Sequence, residues 1–162
     1  MKHLKSFLIN LGVIAGALLY IFLAEMLNTL VGLPRFPSPI AFSIGLVCIA
    51  TGLIIRTWAS LTFYDHKLRI LYMFAQHQIV KEGPYAWSRN PLYVGIVLAT
   101  FGCALLVGST MGIVFSVLSF FFWDFYLRFF EEKNIAKKFG EEYNQYRNRV
   151  PRWIGKRSHS VH

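Results

Sequence analysis

Residues 91–130 read PLYVGIVLATFGCALLVGSTMGIVFSVLSFFFWDFYLRFF, and no charged side chain occurs before Asp124. A hydrocarbon core about 30 Å thick takes about 20 helical residues to cross. The stretch therefore predicts two membrane helices, 91–107 and 110–130. The Gly108-Ser109 link between them is so tight that they must form an antiparallel hairpin. Two further apolar runs precede the hairpin, at about 7–33 and 40–63. The chain is 55% hydrophobic, and its mean hydropathy of +0.44 exceeds that of an ordinary soluble domain. The expected fold is all-α: an integral membrane helical bundle of about four transmembrane helices, with an interfacial connecting segment and a cytoplasmic C-terminal helix. These 162 residues make one domain over 1–162, with no length left for a soluble domain.

Upstream, MKHLK leads into the first run, which is too long for a secretory signal and lacks an A-x-A-like cleavage site. Its Gly12-x-x-x-Gly16 spacing puts two positions without side chains on one face, where a neighbouring helix can pack closely. Glu25 and Asn28, near its far end, are expected to pack or cap, because polar groups in a span face protein rather than lipid. Three prolines in Pro34–Pro39 exclude a regular helix and leave a short external loop. In the second run, Arg56 sits about one turn from the inner end; it either snorkels to the headgroups or faces a substrate. Cys48 and Cys103 both fall within spans, so a disulfide framework is not expected.

The net charge of +9 would suit nucleic acid, but no basic domain exists to hold a duplex. The cations are sorted by topology instead. Fifteen Lys and Arg fall before the first span, between the second and third, and after the fourth; only Arg35 falls in the intervening loops. The first group of loops, with both termini, is thus expected in the cytoplasm.

Residues 83–95, GPYAWSRNPLYVG, lead into the hairpin. Gly83-Pro84 punctuate a turn, Asn90 can cap, and Pro91 takes the first helical position. Helix-start amides attract anionic or polar groups. With Tyr85, Trp87, Arg89 and Tyr93 close by, the loop has the composition of a site, although Trp and Tyr also serve as plain membrane anchors. The preceding stretch, 64–89, is too polar to span and too apolar for a free linker, which predicts an interfacial segment. Asp65, His66 and His77 make a poor ligand set without a cysteine partner, so no metal is expected. Downstream, the helical pattern runs on through FEEKNIAKKFGEEY. Asp124, Arg128 and Glu131 share a face at i, i+4, i+7, with Glu132 four residues after Arg128. These charges form either an interfacial ion-pair ladder or the far wall of a site shared with the 83–95 loop. A carboxylate among aromatic faces suits ribose hydroxyls, adenine and a sulfonium.

GPYAWSRNPLYVG together with FGEEYNQYRNRVPRWI resembles the isoprenylcysteine carboxyl methyltransferases and the related phospholipid N-methyltransferases, over about residues 74–154. The resemblance implies a helical membrane enzyme using S-adenosylmethionine, with a cofactor region over about 77–93 and 128–150. It implies cofactor contacts from His77, Gln78, Ile79 and Val80, largely through backbone, then from Tyr85, Asn90, Pro91, Leu92 and Tyr93, and from Glu131. Asn90 stands where the family usually has histidine, and it too donates and accepts hydrogen bonds. The carboxyl methyltransferases carry a substrate arginine four residues before this glutamate; Leu127 occupies that position here. Arg128 is about 100° further round the helix. Arg128 and Glu132 are the substrate-binding candidates, and Arg89 is the candidate catalytic residue, positioning acceptor or cofactor.

Methyl transfer from a sulfonium chiefly requires alignment and exclusion of water. The expected partners are the bilayer and a lipophilic or lipidated acceptor that reaches the site laterally between helices, with no nucleic acid, in what looks like a prokaryotic inner or plasma membrane. Two other readings stand beside it. Membrane sterol and steroid reductases carry a comparable Arg-x-Pro-x-Tyr turn and a glutamate-rich final helix but bind NADPH. A non-catalytic membrane protein would use the aromatic loop only as an anchor.

Overall fold

The computed structural model describes residues 2–65 and 78–155. It is a bundle of α1 (Lys2–Val31), α2 (Pro39–Asp65), α3 (Pro91–Val107) and α4 (Thr110–Tyr126). The last continues through a π-helical turn, Leu127–Glu131, into α5 (Glu132–Phe139), and α6 (Glu141–Arg149) follows. No strand is formed among the described residues, only an isolated bridge between Arg35 and Ser109. His77 and most of the expected interfacial segment lie outside the described residues.

Three helical stretches are long and apolar enough to cross a membrane: Ile14–Val31, Pro39–Phe63 and Thr110–Phe139. On them Leu18, Phe22, Val47, Ile54 and Phe121 are each more than half exposed, as lipid-facing side chains should be. At 17 residues, or about 26 Å, α3 is shorter and more enclosed. Its bounds are those expected of the hairpin. Pro91 begins it, and Gly108, at φ 68°, ends it in the left-handed conformation that glycine adopts without steric cost. Ser109 then caps α4, its hydroxyl accepting from the Gly112 amide.

Close packing in the bundle is made by glycines, though not the pair expected. Nothing lies within 4 Å of where a Cβ would stand on Gly12 or Gly16. Instead Gly45 and Gly52 of α2 face Gly102 and Gly95 of α3 in antiparallel order. A Cβ on Gly45 would come within 2.7 Å of the Gly102 carbonyl oxygen, and one on Gly52 within 2.7 Å of the Gly95 oxygen. The backbones touch, which is how membrane helices gain van der Waals contact without a hydrophobic driving force.

One end of the bundle is knitted by Asn28. It is 1% exposed; its Oδ1 accepts from the Met111 amide at 3.1 Å and its Nδ2 donates to the Leu33 carbonyl. Asn28 thus caps α4 from α1, the packing role read for it, while Glu25 pairs with Arg35 across the proline loop. The Phe36 amide donates to the Gly108 carbonyl, closing the same end. At the opposite end the C-terminus of α2, the start of α3 and the exit of α4 converge. The helix running on from α4 stops at Gly140, φ 53°, rather than continuing through the whole FEEKNIAKKFGEEY stretch, and α6 begins anew.

Candidate functional site

A cleft of about 500 Å³ opens at this second end, lined by residues from every element that converges there. Val80 and Tyr85 come from the loop, Pro91, Leu92 and Tyr93 from the first turn of α3, Glu131 from the π turn, and Tyr143 and Tyr146 from α6.

The loop 83–90 is held from beneath by residues 151–152. The Arg89 amide donates to the Pro151 carbonyl at 3.0 Å. The Ser88 hydroxyl and the Asn90 side-chain amide both donate to the Arg152 carbonyl, each at 3.3 Å. Asn90 therefore does not cap α3 with its side chain, as its position had suggested; it is spent on this strap, and its own amide donates to Ser88 Oγ. The Tyr146 hydroxyl donates to the Tyr85 carbonyl at 2.7 Å, tying α6 to the same loop. Tyr85 is 5% exposed and its ring lies 5.0 Å from that of Phe63, so it is a core residue rather than an interfacial anchor.

The two adjacent glutamates have opposite surroundings. Glu132 accepts a two-pronged contact from Arg152, Nε to Oε1 at 2.9 Å and Nη2 to Oε2 at 3.0 Å. Arg89 reaches the same carboxylate at 3.2 Å, and its side chain is 8% exposed against 7% for Glu132. Glu131, 3% exposed, has no cation within ion-pair distance among the described residues. Its partner is Tyr93, whose hydroxyl donates to Oε2 at 2.7 Å. One buried acid is thus paired twice over, and the other, held by a tyrosine hydroxyl alone, faces the cleft.

The π turn separates them from Asp124. The Glu132 amide bonds to the Leu127 carbonyl, five residues back instead of four, and such turns insert one extra residue into a helix. Counting at 100° per residue had put Asp124, Arg128 and Glu131 on one face; the extra residue turns Glu131 inward and leaves the other two outside. Asp124 binds Arg128, Arg152 and the Trp153 indole. Arg128, its side chain 56% exposed, does not line the cleft, and Leu127 is fully buried.

Of the cofactor candidates, Ile79, Val80, Tyr85, Asn90, Pro91, Leu92, Tyr93 and Glu131 line this one cleft, with Arg89 beside them. Gln78 is exposed and is not part of the lining. Glu132 stands behind the wall as a support. Phe63, Ile135, Tyr143 and Tyr146 join the lining without having been singled out from sequence. The tyrosine pair had a signal: Tyr-x-x-Tyr in α6 stacks two rings on one helical face. Burial raises the Tyr85 hydroxyl well above its ordinary range and pushes that of Tyr143 up to about 12. The aromatic wall is therefore neutral at any physiological pH. Glu132, foremost by its hydrogen bond, raises Arg152 further. Two donors of the lining have no partner in the structure: the Tyr85 hydroxyl and Arg89 Nε. Among the described residues no cluster of His, Cys, Asp and Glu is suited to a metal ion.

The family model "Phospholipid methyltransferase" matches residues 40–142. Among curated proteins, the protein-S-isoprenylcysteine O-methyltransferase of Saccharomyces cerevisiae is 35% identical over 79 residues, 47% of this chain and 32% of the relative. That of Xenopus laevis is 30% identical over 112 residues, 67% of this chain and 38% of the relative. The Mus musculus protein is 37% identical over 78 residues, 46% and 26%. The matched stretch thus spans about a third of the length of these relatives.

Proposed function

Because this chain belongs to the phospholipid methyltransferase family, we propose that it transfers a methyl group from S-adenosylmethionine to a lipophilic or amphiphilic acceptor at the cytoplasmic membrane face. The observation that carries the reading is the buried carboxyl group of Glu131, without an ion-pair partner among the described residues, facing an aromatic wall across the cleft. The donor set suits the cofactor. Glu131 accepts from its ammonium or ribose hydroxyls, the rings of Phe63, Tyr85 and Tyr146 offer faces to adenine and sulfonium, and the open Nε of Arg89 meets a carboxylate. S-adenosylmethionine supplies the activated methyl when bound.

The chain's own residues then do three things. Tyr93 holds Glu131 in one rotamer through its 2.7 Å hydrogen bond. Glu132 and Arg152 fix Arg89 and the loop, so the start of α3 meets its ligands preorganised. The apolar lining excludes water from the transfer, and a lipid tail reaches the cleft from the bilayer between helices. The excess of Lys and Arg on the cleft side supports a cytoplasmic orientation. The acceptors named for the relatives, an isoprenylcysteine and a phospholipid, are the two to try.

Calorimetric titration of detergent-purified protein with S-adenosylhomocysteine, beside NADPH, tests the reading. Saturable binding of the former, weakened in Glu131→Gln, is expected. Binding of NADPH alone would move the chain to the reductases, and binding of neither would leave the anchor reading.

A further inference from the structure

Arg56 is a charged residue inside a membrane span that nothing in the proposed mechanism uses. It lies nine residues before the end of α2 at Asp65, about 14 Å along the helix, and is 6% exposed. A snorkelling arginine would carry its guanidinium out to the headgroups; this one is folded inward against α3. Its Nη1 donates to the Leu92 carbonyl at 3.4 Å, and its Nε has no partner.

The packing is built to admit it. A Cβ on Gly95 would stand 2.8 Å from the Arg56 Cβ and 3.2 Å from its amide nitrogen, so only glycine lets α2 press against α3 at this level. The contact brings the guanidinium to the carbonyl of Leu92, which lines the cleft. The ionisable groups that act on Arg56 electrostatically are Tyr85 and Tyr93, both also in the lining. The Tyr85 hydroxyl is itself buried and unpartnered.

Three other arginines at this end are already neutralised: Arg89 by Glu132, Arg152 by Glu132 and Asp124, Arg128 by Asp124. No acid among the described residues comes within ion-pair distance of Arg56. A guanidinium has five N–H donors and stays charged in any protein environment. Charges inside a membrane span are paired or functional.

We propose that Arg56 is the anion-binding residue of the acceptor half of the cleft, taking the carboxylate or phosphate of the lipid acceptor at the membrane-facing floor. The assignment rests on the methyltransferase reading. It also sets an acid, Glu131, on the cofactor side and a guanidinium, Arg56, behind Leu92 on the acceptor side, with Tyr85 and Tyr93 acted on by both.

The test is direct binding to the full chain in detergent, by calorimetry, of N-acetyl-S-farnesylcysteine, its uncharged carboxamide, and a short-chain phosphatidylethanolamine. Wild-type protein should bind the acid or the phospholipid, which tells a carboxylate source from a phosphate source, and should bind the carboxamide at least about 10-fold more weakly than the acid. Arg56→Gln should weaken the anionic probe about 100-fold and Arg56→Lys less, with S-adenosylhomocysteine affinity within about twofold of wild type. Equal binding of acid and carboxamide by wild-type protein with no binding of the phospholipid would overturn the proposal without any variant. So would failure of both anionic probes to bind, or an Arg56→Gln protein that loses S-adenosylhomocysteine as severely as the acceptor. If wild-type protein ignores S-adenosylhomocysteine yet binds the acid in an Arg56-dependent way, the methyltransferase reading falls and the anion site stands.

Discussion

Exchanging each of the neighbouring glutamates for glutamine, one at a time, should produce opposite phenotypes. Glu132→Gln removes the charge that two arginines share, one of them with a side chain only 8% exposed. The contacts at 2.9, 3.0 and 3.2 Å lose their ionic component together. Breaking a buried pair by removing one partner costs about 3–5 kcal/mol, because the remaining charge is stranded. In a chain of this size that lowers the melting temperature by about 10 °C. Glu131→Gln keeps the volume and an oxygen to accept from Tyr93, and relieves two adjacent buried acids of their repulsion. Its stability should change by less than about 1 kcal/mol, while affinity for S-adenosylhomocysteine falls about 30-fold with the loss of a charge-assisted contact. Thermal unfolding in detergent, run beside calorimetric titration, reads both effects. If the two variants lose the same stability, or if Glu131→Gln melts early and Glu132→Gln does not, the division of roles between the two acids is wrong.

Gly95→Leu places its Cβ 2.6 Å from the Gly52 carbonyl oxygen and should cost about 1–3 kcal/mol or more; Gly12→Leu, with nothing within 4 Å, should melt with the wild type. Arg128→Ala should cost under about 1 kcal/mol and leave ligand binding intact, since its pair with Asp124 is exposed and Asp124 keeps Arg152 and Trp153. Tyr143 holds its proton up to about pH 12 when folded, whereas an unfolded tyrosine releases it near 10. The stability it contributes is full below pH 10 and is lost as pH rises towards 12, by about 1.4 kcal/mol per unit. Melting curves from pH 8 to 11 should steepen in their decline above 10, and Tyr143→Phe should decline less; identical slopes would contradict the burial.

The elements legible in the sequence are those fixed by local chemistry. Pro91 and Gly108-Ser109 bound α3 to the residue because a missing amide and a left-handed glycine act on the backbone beside them. The loop was readable for the same reason, since aromatic, cationic and capping residues crowd a short stretch, whereas Glu131 was singled out by the family resemblance. What was not legible depends on residues far apart in the chain. Gly45 and Gly95 are unremarkable alone, and only the antiparallel pairing of α2 with α3 makes them a seam, whereas Gly12-x-x-x-Gly16 is a local pattern with no partner. Whether Arg56 snorkels or faces a substrate was left open, because depth along one helix says nothing about which neighbour its side chain meets. Arg152 passed unnoticed in a basic tail, although its bidentate grip on Glu132 holds the loop.

The π turn at Leu127–Glu131 acts as a phase step between two functions written on one rod. Before it, the helix is oriented to suit lipid; after it, the same helix is oriented to suit a polar ligand, and a single added residue sets the rotation between the two. The two faces can therefore change composition independently while their angular offset stays fixed by the backbone. Deleting one residue within 127–130 would leave helical content and apolar length almost untouched, yet swing both carboxylates about 100° away from Tyr93 and Arg89. Such a chain would pass every test of secondary structure and of membrane insertion and still hold no ligand.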